Sequence, residues 1–311
     1  MSLPSVSVVI PTYRRRDSLA EVVAVIAADP YATEIVVVVD GCDDGSYELL
    51  EELAVEEPRI RPVWRDNGGE AAARQTGVEH ATGDVVLLLD DDVLAGPRLV
   101  EGHARRQAEA AGRLVLGYMP TDVPPVRRAG DFATRLYAAE YEAACARYEQ
   151  RPGAILSRLW AGNMSLWRSD ALHVGLDGGY RMGYHDDQEF GLRCQLAGLS
   201  AVFDRTLYAR HTHSRDLADF IRQARLAGAA RRHLARRYPH LVDDVDPSTH
   251  LLAPLRAAVR AAATPALHRA ASAIGRAGVR AAGSRRMWAV EVGLARMLRQ
   301  VEVLRGYRGQ R

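Results

Sequence analysis

The sequence predicts an α/β protein whose core is a mostly parallel β-sheet flanked by helices. The first third of the 311-residue chain alternates short apolar runs with helical patterns. The runs are continuous in Val, Ile and Leu, as expected for strands that are buried on both faces. A repeated strand–helix–strand order implies right-handed crossovers between parallel neighbours. A hydrophobic content of 48% with 26% charged residues is ordinary for a globular protein and argues against a disordered or disulfide-rich chain.

The predicted elements follow one another in a regular order. In the first third, strands are predicted at 6–10, 34–39, 59–64 and 85–89, each followed by a helix, at 17–28, 46–56, 70–80 and 97–111. Further strands are predicted at 113–119, 164–167 and 200–204, and further helices at about 131–149, 187–197 and 215–237. We divide the chain into a main domain over 1–238 with halves 1–112 and 113–238, a linker over 239–250, and a helical C-terminal region over 251–311.

Charge is distributed unevenly along the chain. All 41 basic residues are arginine, and the net charge is +2. Residues 251–311 hold 12 arginines and two glutamates, so this segment carries +10 and the rest of the chain −8. Its apolar positions suit amphipathic helices, which can pack on an acidic domain, form a homo-oligomer or contact an anionic membrane surface. Nucleic-acid binding is not predicted, because no recognition motif accompanies the charge.

Cysteine content and hydropathy predict the compartment. The three cysteines are widely spaced, as in reduced intracellular proteins. The longest aliphatic runs have five residues, whereas a membrane span needs about 20 apolar residues. No secretory signal is seen at the N-terminus. We therefore expect a cytoplasmic protein, with peripheral contact at the inner face of the membrane as a further option.

Three consecutive carboxylates follow the apolar run at 85–89. Asp90, Asp91 and Asp92 would lie at the carboxyl end of a strand, which is where parallel α/β sheets bind ligands. Adjacent carboxylates repel one another unless water or a cation neutralises them. Carboxylate oxygens favour Mg²⁺ or Mn²⁺, and such an ion usually completes its shell with phosphate oxygens. A divalent-metal site and a solvated acidic turn are the two interpretations of this motif.

Two other strand ends carry candidate ligand contacts. Asp40 follows the run at 34–39 and would face the same sheet edge, where its carboxylate can accept an N–H from a nucleobase; a capped turn is the alternative. Pro11, Tyr13 and Arg14 follow the first run, so that the ring can stack on a base and the guanidinium can meet phosphate. A half-buried tyrosine in a loop is the alternative there.

Taken together, these motifs resemble glycosyltransferase family 2, whose members are nucleotide-diphospho-sugar transferases with the GT-A fold. The matching segments are VSVVIPTYRR, EIVVVVDGCDDGS and NGGEAAARQTGVEHATGDVVLLLDDD. Two downstream segments are also similar to family motifs: GNMSLWR on the acceptor side, and HDDQEFGLR at the Glu-Asp catalytic motif, where Asp186 replaces the commoner Glu. The resemblance covers about residues 4–235 and implies a GT-A sheet followed by a C-terminal helical extension.

The resemblance implies a role for each matched position. Binding of the nucleotide-sugar is implied for Pro11, Tyr13, Arg14, Asp40, Arg74, Asp90 and Asp91. Asp92, the last acid of the Asp-x-Asp motif, would ligate the divalent ion, with Asp90 beside it. Asp187 would be the general base for the acceptor hydroxyl, with Asp186 next to it. Residues 1–112 would then bind the donor, and 113–238 would hold the acceptor and the base.

A His-x-His pair adds a further candidate ligand. His211 and His213 are two residues apart, so in an extended segment both rings point the same way. In the family, a histidine downstream of the Glu-Asp motif often completes the metal shell, and either residue could serve. A surface or capping role is the alternative.

The predicted function is metal-dependent transfer of a sugar from a nucleoside-diphosphate donor, with UDP- or dTDP-sugars favoured. The acceptor would be a hydroxyl on a small molecule, lipid or saccharide, and the family implies inversion with a single base. A nucleotidyltransferase is disfavoured because the loop at 11–16 lacks glycine to hold a triphosphate. A dinucleotide oxidoreductase is disfavoured because no G-x-G-x-x-G follows the first strand. A non-catalytic scaffold that binds nucleotide-sugars through the same fold is the alternative.

Overall fold

The computed structural model describes residues 2–309, which form two compact units. The first, here called the sheet unit, comprises residues 2–122, Tyr141–Arg181 and Asp186–His213. The second, here called the helical unit, comprises Val123–Glu140, Met182–His185 and 214–309. The functional division predicted at 238 and 250 stays a prediction.

The strands and helices agree in order with the sequence analysis. The strands are β1 (Val6–Thr12), β2 (Ala32–Asp40), β3 (Ile60–Arg65), β4 (Val85–Leu89), β5 (Val93–Ala95), β6 (Arg113–Tyr118), β7 (Asn163–Trp167) and β8 (Ser200–His211). The helices are α1 (Arg16–Ala27), α2 (Ser46–Glu56), α3 (Glu70–His80), α4 (Leu99–Glu109), α5 (Phe132–Gln150), α6 (Arg168–Val174), α7 (Asp186–Leu196), α8 (Leu217–Arg237), α9 (Ala253–Ala262), α10 (His268–Ser284) and α11 (Trp288–Gly309). Two short 3₁₀ turns, Pro152–Ala154 and Leu156–Arg158, follow α5.

The sheet unit is built on one eight-stranded sheet with the order β3-β2-β1-β4-β7-β6-β8-β5. Strands β1 to β4 are parallel to one another, and β6 is parallel to β8. Strand β7 runs antiparallel to β4 and β6, and β5 runs antiparallel to β8. The prediction of a mostly parallel sheet flanked by helices, with helices at the C-terminal end of the chain, is confirmed.

Burial on both faces explains the unbroken apolar runs. On β2, Ile35, Val37 and Val39 belong to the core on one face of the sheet. Val36 and Val38 belong to the core on the other face. A strand covered by helices on both sides has no solvent-facing position, so its sequence shows no alternation.

Strand β8 is longer than predicted because its second half has a different pattern. From 206 to 211, exposed and buried residues alternate: Leu207, Ala209 and His211 are buried, and Thr206 and Tyr208 are exposed. Such a half-buried strand alternates with a period of two and contains no continuous apolar run. Strand β5 and helix α6 were also not predicted, because three and seven residues are too short to show a period.

The helical unit is held together by close backbone contacts and buried charge. Helices α8 and α11 approach so closely that a Cβ at Gly228 would collide with the backbone of Val303. Glu302 on α11 is fully buried and accepts hydrogen bonds from Arg225 (2.7 Å) on α8 and His268 (2.8 Å) on α10. No helix within residues 2–309 combines the length and apolarity that a membrane span requires.

A buried polar network joins α4 to β7 in the sheet unit. The ring of His103 is fully buried, with Nδ1 2.8 Å from Oγ of Ser165 and Nε2 2.9 Å from Oδ1 of Asn163. Burial disfavours the imidazolium and lowers the pKa of His103 to about 4, although the hydrogen bond with Asn163 acts in the opposite direction. The neutral ring is therefore part of the folded state.

His103 should make the stability of the protein fall in mild acid. The pKa of His103 is about 6.5 in the unfolded chain and lower in the folded one. As the pH falls, the unfolded chain therefore takes up the proton first. We expect the free energy of unfolding to lose about 2 kcal/mol from this residue between pH 7 and pH 5. Urea titrations at both pH values should show that the free energy of unfolding of His103→Gln falls less between pH 7 and pH 5 than that of the wild type. Equal losses in the two proteins would contradict this assignment.

Candidate active site

The carboxyl ends of β1, β2 and β4 lie along one edge of the sheet, because these strands are parallel and adjacent. The predicted site residue Asp40 is the last residue of β2, and the predicted residues 13–14 and 90–92 follow β1 and β4. Asp187, in the first turn of α7, reaches the same group through Arg74. The sheet unit thus brings together residues that are far apart in the sequence.

Pairing between β5 and β8 places two imidazoles beside Asp92. Val93 is opposite His211 in this antiparallel ladder, and the peptide N–H of Thr212 donates to the carbonyl oxygen of Asp92 at 2.9 Å. His211 Nε2 and His213 Nδ1 each lie 3.2 Å from a carboxylate oxygen of Asp92, one ring on each oxygen. The three candidate ligand atoms lie within 4.8 Å of one another, a spacing that one metal ion can bridge. This donor set of one carboxylate and two imidazoles fits a divalent transition metal.

The electrostatic environment differs between Asp91 and Asp92. Burial alone would raise the pKa of Asp92, but hydrogen bonds and charge from His211 and His213 outweigh burial and hold that pKa well below its usual range. Burial raises the pKa of Asp91 to about 6, although Arg15 acts against this shift. Of these two acids, Asp92 is the one whose surroundings favour the ionised carboxylate.

Arg15 is a site residue that the sequence analysis missed. Its guanidinium lies 3.4 Å from Asp91 and 3.1 Å from Asp92, and its side chain is 43% exposed. Arg14, for which the sequence predicts a phosphate contact, adopts a left-handed φ of 56°, and its guanidinium lies 5.2 Å from the centre of the Tyr13 ring. The turn in the backbone directs the next arginine of the run toward the acids.

Arg74 on α3 connects the acids of β4 to the acid of α7. Its buried guanidinium donates to Asp90 at 2.5 Å and to Asp187 at 2.8 Å, and it also pairs with Glu70 at 2.5 Å. Burial would lower the pKa of Arg74, but the three carboxylates outweigh burial and raise it well above its usual value. The planar guanidinium can bond several carboxylates at once, which an ammonium group cannot do with the same geometry.

Asp187 is held in one orientation by a bond to each carboxylate oxygen. Oδ1 accepts from Arg74, and Oδ2 accepts from the peptide N–H of Ala161 at 3.0 Å. The adjacent Gly162 has a φ of 128°, and a Cβ there would come within 2.7 Å of Asp90. Each oxygen of Asp187 retains a lone pair, and the side chain is partly exposed, so the carboxylate can accept a further hydrogen bond.

Asp40 is buried at the end of β2 and bonds the loop before α3. Its carboxylate accepts from Gly68 N at 2.9 Å, Gly69 N at 2.7 Å and Asn67 Nδ2 at 3.1 Å. Arg65 Nε also lies 3.4 Å from Oδ1, so a ligand that bonds Asp40 would share this carboxylate with Arg65 as well as with the loop. This loop contact could not be read from the local pattern, which does not show which segment approaches Asp40.

The remaining predicted residues lie at the margin of this group. Pro11 is buried within β1, where it pairs with Val38 of β2. Tyr13 follows β1 and is 44% exposed, with the guanidinium of Arg14 over its ring. Asp186 is the first residue of α7 and precedes Asp187.

The match to known sequences lies mainly in the first half of the chain. Residues 7–128 match the family model described as Glycosyl transferase family 2. Over 98 residues the chain is 41% identical to an undecaprenyl-phosphate 4-deoxy-4-formamido-L-arabinose transferase of Pseudomonas fluorescens, an alignment covering 30% of this chain and 29% of that protein. The chain spans about a third of the length of the curated relatives it matches.

Solved structures share the architecture at low sequence identity. The mannosyltransferase PcManGT from Pyrobaculum calidifontis, in complex with GDP-Man and Mn²⁺, superposes with a TM-score of 0.60 at 19% identity over 98% of this chain and 87% of that chain. GalNAc-T7 with UDP, GalNAc and Mn²⁺ gives a TM-score of 0.52 at 16% identity over 68% of this chain and 44% of that chain. At these identities the likeness concerns the fold.

The sheet, the helices that flank it and these neighbours define the GT-A class of glycosyltransferase folds. Residues 7–128 match glycosyltransferase family 2, and the resemblance drawn from the sequence motifs is confirmed.

Removing the guanidinium of Arg74 should destabilise the fold more than removing an exposed arginine. In Arg74→Met, the carboxylates of Asp90 and Asp187 would lose their buried partner, so we expect the free energy of unfolding to fall by about 2 kcal/mol. The matched control is Arg210→Met, whose partner Asp122 is half exposed, and its loss should stay below about 1 kcal/mol. Urea denaturation measures both, and similar small losses would show that the buried cluster is not held by Arg74.

Proposed function

We propose that this chain is a metal-dependent glycosyltransferase that moves a sugar from a nucleoside-diphosphate donor to an acceptor hydroxyl, with inversion at the anomeric carbon. The observation that carries the proposal is the convergence of Asp92, two imidazoles and Asp187 at one sheet edge, with buried Arg74 between the acids. The family 2 domain and the GT-A fold support the same class of reaction.

In this proposal, Asp92, His211 and His213 hold the divalent ion, with Asp90 nearby but bonded to Arg74. Mn²⁺ is favoured over Mg²⁺, because imidazole suits transition metals and Mg²⁺ prefers an all-oxygen shell. When bound, such an ion supplies Lewis-acid stabilisation of the charge that develops on the departing diphosphate.

Asp187 is the proposed general base. Its two fixed hydrogen bonds orient the carboxylate, and its partly exposed free lone pair can accept the proton of an acceptor hydroxyl as the oxygen attacks the anomeric carbon. A single base suffices for a direct displacement, so no covalent glycosyl-enzyme is required. Asp186 precedes Asp187 in the chain and is a second candidate residue for the acceptor site.

The proposed donor is a UDP- or dTDP-sugar. The ring of Tyr13 would stack on the base, and the carboxylate of Asp40 would accept the imide N–H beside its contact with Arg65. Pro11, Arg14 and Asp91 complete the proposed nucleotide-sugar site. Since one structural neighbour binds GDP-Man and another binds UDP, the donor panel must include both nucleotides.

The nature of the acceptor can be tested through Asp187. Several of the curated relatives are named as undecaprenyl-phosphate transferases, which suggests a lipid acceptor for this chain as well. A phosphate acceptor is already anionic and needs no base, whereas a hydroxyl acceptor depends on one. Dependence of transfer on Asp187 would therefore favour a hydroxyl.

The test is turnover of UDP-, dTDP- and GDP-sugars with Mn²⁺, followed as nucleoside-diphosphate release with alcohol, saccharide and polyprenyl-phosphate acceptors. We expect Asp187→Asn to lose about 10²–10⁴-fold in turnover with hydroxyl acceptors while it still binds UDP and Mn²⁺. Asp92→Asn should lose Mn²⁺-dependent UDP binding. The exposed Asp17 on α1 provides a matched control, Asp17→Asn, which should retain both properties.

Two outcomes would contradict the proposal. Unchanged turnover in Asp187→Asn with a hydroxyl acceptor would remove Asp187 as the base. Nucleotide binding without turnover of any donor, in wild type and variant alike, would indicate a scaffold that only binds nucleotide-sugars.

Arg15 should compete with the metal ion for Asp92. Because its guanidinium lies 3.1 Å from a candidate ligand oxygen, Arg15→Gln should tighten Mn²⁺ binding in the absence of nucleotide by about two- to fivefold. The control Arg16→Gln removes a neighbouring exposed charge that lies beside Gly45, and it accounts for the general loss of positive charge. Calorimetry that shows equal Mn²⁺ affinity in the two variants would argue against competition at Asp92.

A further inference from the structure

Helix α10 in the helical unit presents an apolar stripe to solvent. Its other side is buried through His268, Ser272, Val279, Ala282 and Gly283. At 3.6 residues per turn, the opposite side carries the residues here called the α10 stripe: Leu267, just before the helix, and Ala270, Ile274, Ala277 and Ala281. All five are exposed, Ile274 to 73% and Leu267 to 52%. Exposed helix faces of globular domains are normally polar, so this stripe needs a partner.

The segment that carries the stripe is basic, and its own acids are buried. Residues 247–290 contain seven arginines and neither Asp nor Glu. Within 247–309, the acids are Glu291 and Glu302; both are buried, and they pair with Arg127 (3.2 Å) and Arg225 (2.7 Å). Arg260 pairs with Asp246 (3.0 Å) and Arg299 with Glu140 (2.5 Å), so the excess of positive charge in this described segment rests on its other arginines, of which Arg269, Arg280, Arg285 and Arg286 are exposed.

Exposed apolar side chains continue beyond the helix. Met287 is 48% exposed in the turn after α10, and Val290 is 45% exposed in the first turn of α11. Arg285 and Arg286 lie just before them and are exposed. Apolar side chains next to arginines, without acids, are the composition of helices that lie in the interface of anionic bilayers.

We propose that the α10 stripe and the arginines around it dock this chain on the surface of an anionic lipid bilayer. The apolar side chains would enter the boundary between headgroups and acyl chains, and the arginines would pair with anionic headgroups. Nucleic acid would satisfy the arginines but would leave Ile274 and Leu267 without an apolar partner. A second copy of the same face would bring like charges together at the contact. The proposal goes beyond sugar transfer and does not depend on it.

The experiment is cosedimentation of the purified full chain with phosphatidylcholine vesicles, with and without phosphatidylglycerol, without metal or nucleotide. We expect binding to the anionic vesicles, weakened by salt, and little binding to the neutral ones. Ile274→Ser should weaken binding about tenfold because it removes buried apolar area. Arg280→Gln, on the same helix, should weaken it about fivefold.

Matched controls come from exposed positions of the sheet unit. Val55 on α2 is 83% exposed and Arg147 near the end of α5 is exposed, so Val55→Ser and Arg147→Gln repeat the same chemical changes there and should leave vesicle binding unchanged. Because all four positions are exposed, each variant should keep the thermal midpoint of the wild type.

Three outcomes would overturn the proposal. The first is equal binding to neutral and anionic vesicles, and the second is unchanged binding of Ile274→Ser. The third is a dimer in sedimentation velocity, or a complex with duplex DNA or RNA, that is lost in Ile274→Ser while vesicles do not bind. Since no donor sugar enters the assay, its failure would leave the proposed transferase activity standing, and an inactive enzyme that binds vesicles would leave this proposal standing.

Discussion

The guanidinium of Arg74 is the positive charge around which the acids of the sheet edge are arranged. Parallel strands bring Asp90 to this edge, and α7 brings Asp187, two carboxylates that would repel one another without a shared counter-ion. A buried arginine can bond both at once because its donors are planar and fixed. The distance between the proposed base and the Asp-x-Asp motif is therefore set by the protein, independently of any ligand.

The other end of the acidic motif is balanced differently. Asp91 and Asp92 contact Arg15, which is partly exposed, and Asp92 contacts two imidazoles. An exposed side chain can leave its position at little cost, whereas the buried Arg74 cannot. The motif thus has one end paired with a buried arginine and one end paired with a partly exposed arginine, and the proposed metal ion would replace the second of these charges.

The uneven charge of the chain has a related explanation in the helical unit. The carboxylates of the two acids in its C-terminal helices are buried and form ion pairs, Glu291 with Arg127 and Glu302 with Arg225. These pairs join distant parts of the unit, so the acids serve packing. Five other arginines of this segment, Arg269, Arg280, Arg285, Arg286 and Arg296, are exposed, so much of its basic charge lies at the surface.

The sequence alone determined the α/β class, the bounds of β4, α2 and α3, and the acids that end β2 and β4. These features are local, since fully buried strands leave unbroken apolar runs and strand ends carry turn and capping residues. Only the tertiary structure decided that β5 pairs with β8 and so places His211 and His213 at Asp92, that Arg15 rather than Arg14 meets the acids, and that Asp40 is already bonded by its neighbouring loop. Each of these contacts either joins segments that are distant in the sequence or depends on one turn of the backbone. Contacts of these two kinds leave no periodic pattern in the sequence.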